Sequence, residues 1–182
     1  MFDMDKQMFT ERRRKLPKFI GQEEISAILD KARKDRYRNY ILLLMMTRTG
    51  MRVSEVTKIK KRDISDDGIM IRQGKGGKDR LIPLEKELSN ILGLFCDSLK
   101  PKSKLFPIST RQVRNIVYKY APAGLEVHPH TLRHSFAVHC LKSGMNIRSL
   151  QKILGHNNLT TTQVYLDITG ADVKEDFGKV KW

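Results

Sequence analysis

The apolar residues of this chain change period twice, and that change restricts the folds open to it. From residue 22 to residue 58 they recur at helical spacing. Ile25, Ile28 and Leu29 predict a helix over 22–34. Residues 37–49 predict a second helix, apolar on most sides and therefore buried. Gly50 stops it, and a short third helix opens over 53–58. The period then shortens. Gly68-Ile69-Met70-Ile71-Arg72 and Arg80-Leu81-Ile82-Pro83 are short apolar runs. Between them lies the polar, glycine-rich stretch Gln73-Gly74-Lys75-Gly76-Gly77-Lys78-Asp79, which predicts an antiparallel hairpin with a mobile turn. Helical spacing returns over 85–99, 111–120 and 130–142. Ser109 suits the N-cap of the 111–120 helix. Asn146 suits the N-cap of a helix that ends at Leu154, with Gly155 just past its end. Residues 160–166 read as a short helix or turn, and 169–180 as a last amphipathic helix. The expected fold is α+β: a mostly helical domain with a small antiparallel sheet.

The length of 182 residues suits one domain with a core of its own. Apolar residues make up 40% of the chain, which argues against disorder over most of its length. The longest fully apolar run, Ile41 to Met46, is far too short to span a bilayer. The first twenty residues are charged and lack an apolar signal core. Cys96 and Cys140 are the only cysteines, which suits a reducing compartment better than a disulfide framework. The expectation is a cytoplasmic, nucleoid-associated protein with no membrane partner.

Charge is the first clue to function. Lys and Arg total 35 against 20 Asp and Glu, a formal net charge of +15. A balance this basic points to a polyanionic partner, nucleic acid above all. A merely soluble basic surface is the bland alternative. Charge alone separates neither DNA from RNA nor a binder from an enzyme.

Three segments carry residues suited to phosphate chemistry. In Thr49-Gly50-Met51-Arg52-Val53-Ser54-Glu55, Arg52 stands at a break between helices. A guanidinium there can bind two phosphate oxygens at once, although a lone arginine near a helix start is usually a surface residue. In His128-Pro129-His130-Thr131-Leu132-Arg133-His134, His130 and Arg133 are i and i+3 and share a helix face. Imidazole beside guanidinium makes a phosphate clamp. His130 and His134 also have the i, i+4 spacing of zinc ligands, but the glutamate of an H-E-x-x-H site is absent. Leu154-Gly155-His156-Asn157 is followed, nine residues after His156, by Tyr165. A tyrosine usually packs; with a pKa of about 10 it becomes a nucleophile only beside a base or cations. Cys140 reads as core, and His128 and His139 as structural.

Together, in this order, these segments resemble the tyrosine recombinase or phage integrase family, particularly its Xer-like members. The resemblance rests on T-G-M-R-V-S-E at 49–55, H-T-L-R-H at 130–134, L-G-H at 154–156 and T-T-Q-V-Y at 161–165. Gly74-Lys75-Gly76-Gly77-Lys78-Asp79-Arg80 resembles the family's catalytic hairpin, and Leu16-Pro17-Lys18-Phe19 its lead into the domain. The match runs over about residues 16–168. It implies a basic lead-in over 1–16, a catalytic domain over 17–168 and a tail over 169–182. In that tail Ala171, Val173, Phe177 and Val180 offer an apolar face, either to a neighbouring protomer or to the tail's own subunit. The lead-in is too short for the family's usual core-binding domain. An excised catalytic domain and a naturally short recombinase both fit.

The resemblance also implies roles. Tyr165 attacks a DNA phosphate, giving a 3′-phosphotyrosyl link and a free 5′-hydroxyl. Arg52 and Arg133 hold the non-bridging oxygens, His130 assists proton transfer at Tyr165, and His156 hydrogen-bonds the phosphate. Lys75 protonates the leaving 5′-oxygen, with Lys78 a competing assignment. Glu55 orients the arginine site. Neither metal nor ATP is needed, no small-molecule substrate is implied, and the partner is double-stranded DNA, on which the protein assembles as a dimer or tetramer. Arg72, Lys78, Arg80, Arg111 and Arg114 are candidate contacts to the DNA backbone. Relaxation of supercoils through the same phosphotyrosine, and non-cutting DNA regulation, are the competing functions.

Overall fold

The structure is a computed structural model that describes residues 18–72 and 79–155. The expected hairpin turn with Lys75 and Lys78, the nucleophile segment with His156 and Tyr165, the lead-in 1–16 and the tail 169–182 lie outside the described residues.

Among the described residues, seven helices and three strands follow one another: α1 (Gln22–Asp35), α2 (Tyr37–Thr49), α3 (Val53–Val56), a 3₁₀ turn (Lys61–Asp63), β1 (Ile64–Ser65), β2 (Gly68–Ile71), β3 (Arg80–Ile82), α4 (Lys86–Cys96), α5 (Thr110–Tyr120), α6 (Pro129–Lys142) and α7 (Ile147–Leu154). The architecture is helical with one small antiparallel sheet, as the change of period predicts. Helix α2 is the central element. Ile41 to Met46 are all buried, because α1, α4 and α6 pack around it. Truncating one of these side chains to Ala would cost about 2–5 kcal/mol. Ile25, Ile28 and Ala32 of α1, and Val113, Val117 and Tyr120 of α5, complete the main core. Ala137, Val138, Leu150 and Leu154 form a second cluster where α6 meets α7.

The predicted caps are present. Ser109 Oγ accepts from the Gln112 amide at 3.2 Å, while Gln112 Oε1 accepts from the Ser109 amide at 2.9 Å. Asn146 Oδ1 accepts from the Arg148 amide at 2.9 Å. Gly50 and Gly155 end α2 and α7 in the left-handed region, at φ 60° and 64°.

Two helix boundaries differ from expectation by more than one residue, and one strand was not expected. Helix α4 is shorter than 85–99, ending at Cys96 with Asp97 as its C-cap. Helix α3 is four residues rather than six. The sheet has a third strand, β1, paired with β2 through Ile64–Ile69 and Ser65–Gly68. A two-residue strand has no periodicity to read. In the other pair, Ile69 faces Ile82, Met70 faces Leu81 and Ile71 faces Arg80. Side chains alternate across a sheet, so Arg80 shares the core-facing side with Ile69, Ile71 and Ile82.

Candidate active site

The last turn of α7 organises the site. A helix end leaves its final carbonyls without partners, and its partial negative charge favours cations. Three consecutive carbonyls here each accept from a different arginine. Ile153 O accepts from Arg80 Nε at 2.8 Å, Leu154 O from Arg133 Nη2 at 2.8 Å, and Gly155 O from Arg52 Nη2 at 3.3 Å. The three come from β3, α6 and the N-cap of α3, so residues far apart in sequence meet at one helix end.

Arg133 is 4% exposed. Its Nη1 also donates to Gly50 O at 2.6 Å, tying the end of α2 to the same point. Two glycines permit this closeness. A Cβ on Gly50 would lie 2.4 Å from Phe136 Cδ1, and one on Gly155 would lie 3.0 Å from Arg80 Cδ.

Glu55 sits between Arg52 and Arg80. Its Oε2 accepts from the Arg52 amide at 2.8 Å, capping α3, and its Oε1 accepts from Arg52 Nη1 at 3.2 Å. Arg80 grips the same carboxylate with both ends of its guanidinium, at 2.8 and 2.9 Å. Burial opposes ionisation of Glu55, yet hydrogen bonds from Arg80 and the Arg52 backbone, with both positive charges, hold its pKa below the ordinary value. Three arginines against one carboxylate leave two positive charges in a partly buried setting. The Arg52 side chain is 21% exposed, against 11% for Arg80, so Arg52 is the more open to solvent of the two. Such a cluster suits a phosphate.

His130 is exposed in the first turn of α6, three residues before Arg133. Its ring centroid is 6.4 Å from that of His134. Burial, with His130 and Arg133 nearby, pushes the His134 imidazole down to about 4, so it is neutral at pH 7. Among the described residues, no group of three His, Cys, Asp or Glu side chains is arranged to hold a metal. Cys140 is half-buried, and burial pushes its thiol up to about 11.

An open groove of about 880 Å³ runs from Arg52 to Ile71, Arg72 and Asp79, where β2 ends and β3 is about to begin. Arg72 lines it, exposed, with Nε on Asp63 Oδ1 at 2.9 Å. Lys58, Lys60, Arg62 and Lys104 line it too. Sequence reasoning missed these four, because nothing in the sequence brings Lys104 beside residues 58–62. Arg111 and Arg114 are exposed on α5 and do not line the groove. Arg80 departs from the expectation of a backbone contact: each of its three side-chain nitrogens is committed inside the protein. The signal was present in the sequence, since a strand that buries Ile82 also turns Arg80 inward.

The sequence profile of the phage integrase family matches residues 18–171. This chain belongs to the phage integrase family. The resemblance drawn from its motifs holds. This integrase-family chain is 37% identical over 181 residues to the tyrosine recombinase XerA of Thermococcus kodakarensis, covering 92% of the chain and 64% of the relative. It is 40% identical over 176 residues to XerA of Pyrococcus furiosus, covering 88% and 60%. The chain thus spans about three fifths of the length of these curated relatives. Its fold matches the crystal structure of XerA recombinase with a TM-score of 0.76 and 28% identity, over 93% of this chain and 68% of that one. It matches the catalytic domain of bacteriophage HP1 integrase with a TM-score of 0.70 and 24% identity, over 89% and 94%, a likeness of fold. The XerH site-specific recombinase bound to palindromic difH substrate matches with a TM-score of 0.66 and 26% identity, over 91% and 54%.

Proposed function

We propose that this chain is the strand-cleaving domain of a site-specific tyrosine recombinase acting on double-stranded DNA. The observation that carries the reading is the gathering of Arg52, Glu55 and Arg133 at the end of α7. The next residue in the chain is His156, and Tyr165 follows nine residues later.

The phenol oxygen of Tyr165 attacks the scissile phosphorus. A P–O bond to the tyrosine forms as the bond to the 5′-oxygen breaks. His130 assists removal of the phenolic proton, and Lys75 protonates the leaving 5′-oxygen. Arg52 and Arg133 stabilise the charge developing on the non-bridging oxygens, and His156 hydrogen-bonds them. The 3′-phosphotyrosyl link keeps the energy of the broken diester, so religation needs neither ATP nor metal. A 5′-hydroxyl from a partner strand reverses the step and completes the exchange. The groove beside Arg52, with Arg72 on its wall, suits the DNA backbone, and Lys78 in the hairpin turn and Arg111 and Arg114 on α5 are further backbone contacts.

Residues 17–168 form the catalytic unit in this reading. The 169–182 tail packs on a neighbouring protomer in a dimer or tetramer assembled on DNA, in the nucleoid of the cytoplasm. Trapping is the test. The parent chain and Tyr165→Phe are incubated with fragmented genomic DNA of the source organism, and covalently attached fragments are sequenced. The parent should give fragments sharing one site, joined through a 3′-phosphate, and the variant none. An adduct on Tyr165→Phe overturns the nucleophile.

A further inference from the structure

Arg80 is a basic residue beside a proposed phosphate site, yet each of its side-chain nitrogens is bonded within the protein. Its Nη atoms hold the Glu55 carboxylate, its Nε holds Ile153 O, and its stem lies against Gly155. Glu55 is itself bonded to Arg52 through the amide and the guanidinium. A carboxylate this close to Arg52 has two opposed effects. It orients the guanidinium, and it cancels the charge that the phosphate needs.

We propose that Arg80 is a positioning residue that occupies the Glu55 carboxylate, so that Glu55 can orient Arg52 without neutralising it. The arithmetic of charge supports this. Arg52, Arg80 and Arg133 against Glu55 leave two positive charges. Without Arg80 one remains, and among the described residues Glu55 is left with Arg52 as its only side-chain partner. Arg80 also begins β3, so these bonds tie the start of that strand to α3 and α7. The proposal rests on the reading that Arg52 binds the scissile phosphate.

The test compares the parent with Arg80→Gln, Glu55→Gln and the double variant on DNA carrying the trapped site. Cleavage rate, melting temperature and the salt dependence of binding are measured for each. Arg80→Gln should slow cleavage by about 100-fold, the scale of losing one electrostatic element of such a site. The double variant again has two positive charges, and it should cleave at least about 10-fold faster than Arg80→Gln. Any flattening of the salt slope in Arg80→Gln should be restored in the double variant, since Glu55 then no longer offsets Arg52. A double variant no faster than Arg80→Gln overturns the proposal, as does a flattened slope that the double variant leaves flat, which would make Arg80 a DNA contact. A carboxyl titration of Glu55 by NMR needs no cleavage. The Glu55 pKa should rise in Arg80→Gln, because burial remains after its main partner has gone, and an unchanged value refutes the charge division. A parent that forms no adduct instead refutes the strand-cleavage reading, and the titration still decides whether Arg80 holds the carboxylate.

Discussion

Arg133 Nη2 donates to the carbonyl of Leu154 at 2.8 Å, and this bond joins α6 to the last turn of α7. The same guanidinium reaches Gly50 O at the end of α2. One side chain therefore fixes three helix segments around the proposed phosphate site, and its loss is expected to be structural as well as chemical.

Arg133→Met should destabilise the fold by about 2–4 kcal/mol, because two buried carbonyls lose a charged donor. Urea unfolding measures this. Arg133→Lys keeps the charge but cannot span both carbonyls, and it should recover only part of the stability. A loss under about 0.5 kcal/mol for Arg133→Met, the size of an ordinary surface change, would contradict the anchoring role.

Gly155→Ala should cost about 1–2 kcal/mol, the price of a left-handed conformation for a residue with a Cβ. The new methyl group also falls 3.0–3.1 Å from the Arg80 side chain. The expected signature is a lower unfolding midpoint together with slower cleavage, as Arg80 is displaced. Gly124→Ala, also at positive φ but with open space around it, should lose stability alone.

Stability should fall in acid through His134. Its folded pKa of about 4 lies below the ordinary 6.5, so the unfolded chain takes up a proton that the fold refuses. The contribution is complete above pH 6.5 and is lost as the pH falls from 6.5 towards 4, with a slope of at most about 1.4 kcal/mol per pH unit. His134→Gln should flatten the melting-temperature profile across that window. A profile equally steep in the variant would assign the acid sensitivity elsewhere.

Lys58→Ala, Arg62→Ala and Arg72→Ala should each lower the slope of log affinity against log salt by about 0.9, if each meets one phosphate. The change should be alike on specific and random duplexes, since phosphates carry no sequence. Fluorescence anisotropy over a salt series measures it. An unchanged slope removes that residue from the interface.

Arg52, Glu55 and Arg133, which the structure gathers at the end of α7, stand in motifs legible in the sequence, and the helices were legible as periodicity. Gly50, Ser109, Asn146 and Gly155 mark helix ends through local backbone chemistry, so their signals survive without any tertiary knowledge. Helix α2 could be recognised as buried because it is apolar on most sides. The strand β1 was not legible, because two residues acquire strand character only from the partner they pair with.

The sequence by itself determined the order of helices around one hairpin, the basic charge of the chain and the motifs whose residues are proposed to handle phosphate. Each follows from near neighbours along the chain or from composition. Tertiary structure alone decided how those residues divide their work. Arg52 and Arg80 carry the same charge, yet one is the more open to the groove and the other is locked on Glu55 and Ile153. That difference arises because the end of α7 offers three carbonyls at one place, and because the register of β3 turns Arg80 toward them. Neither condition exists until helices and strands distant in the chain have packed together.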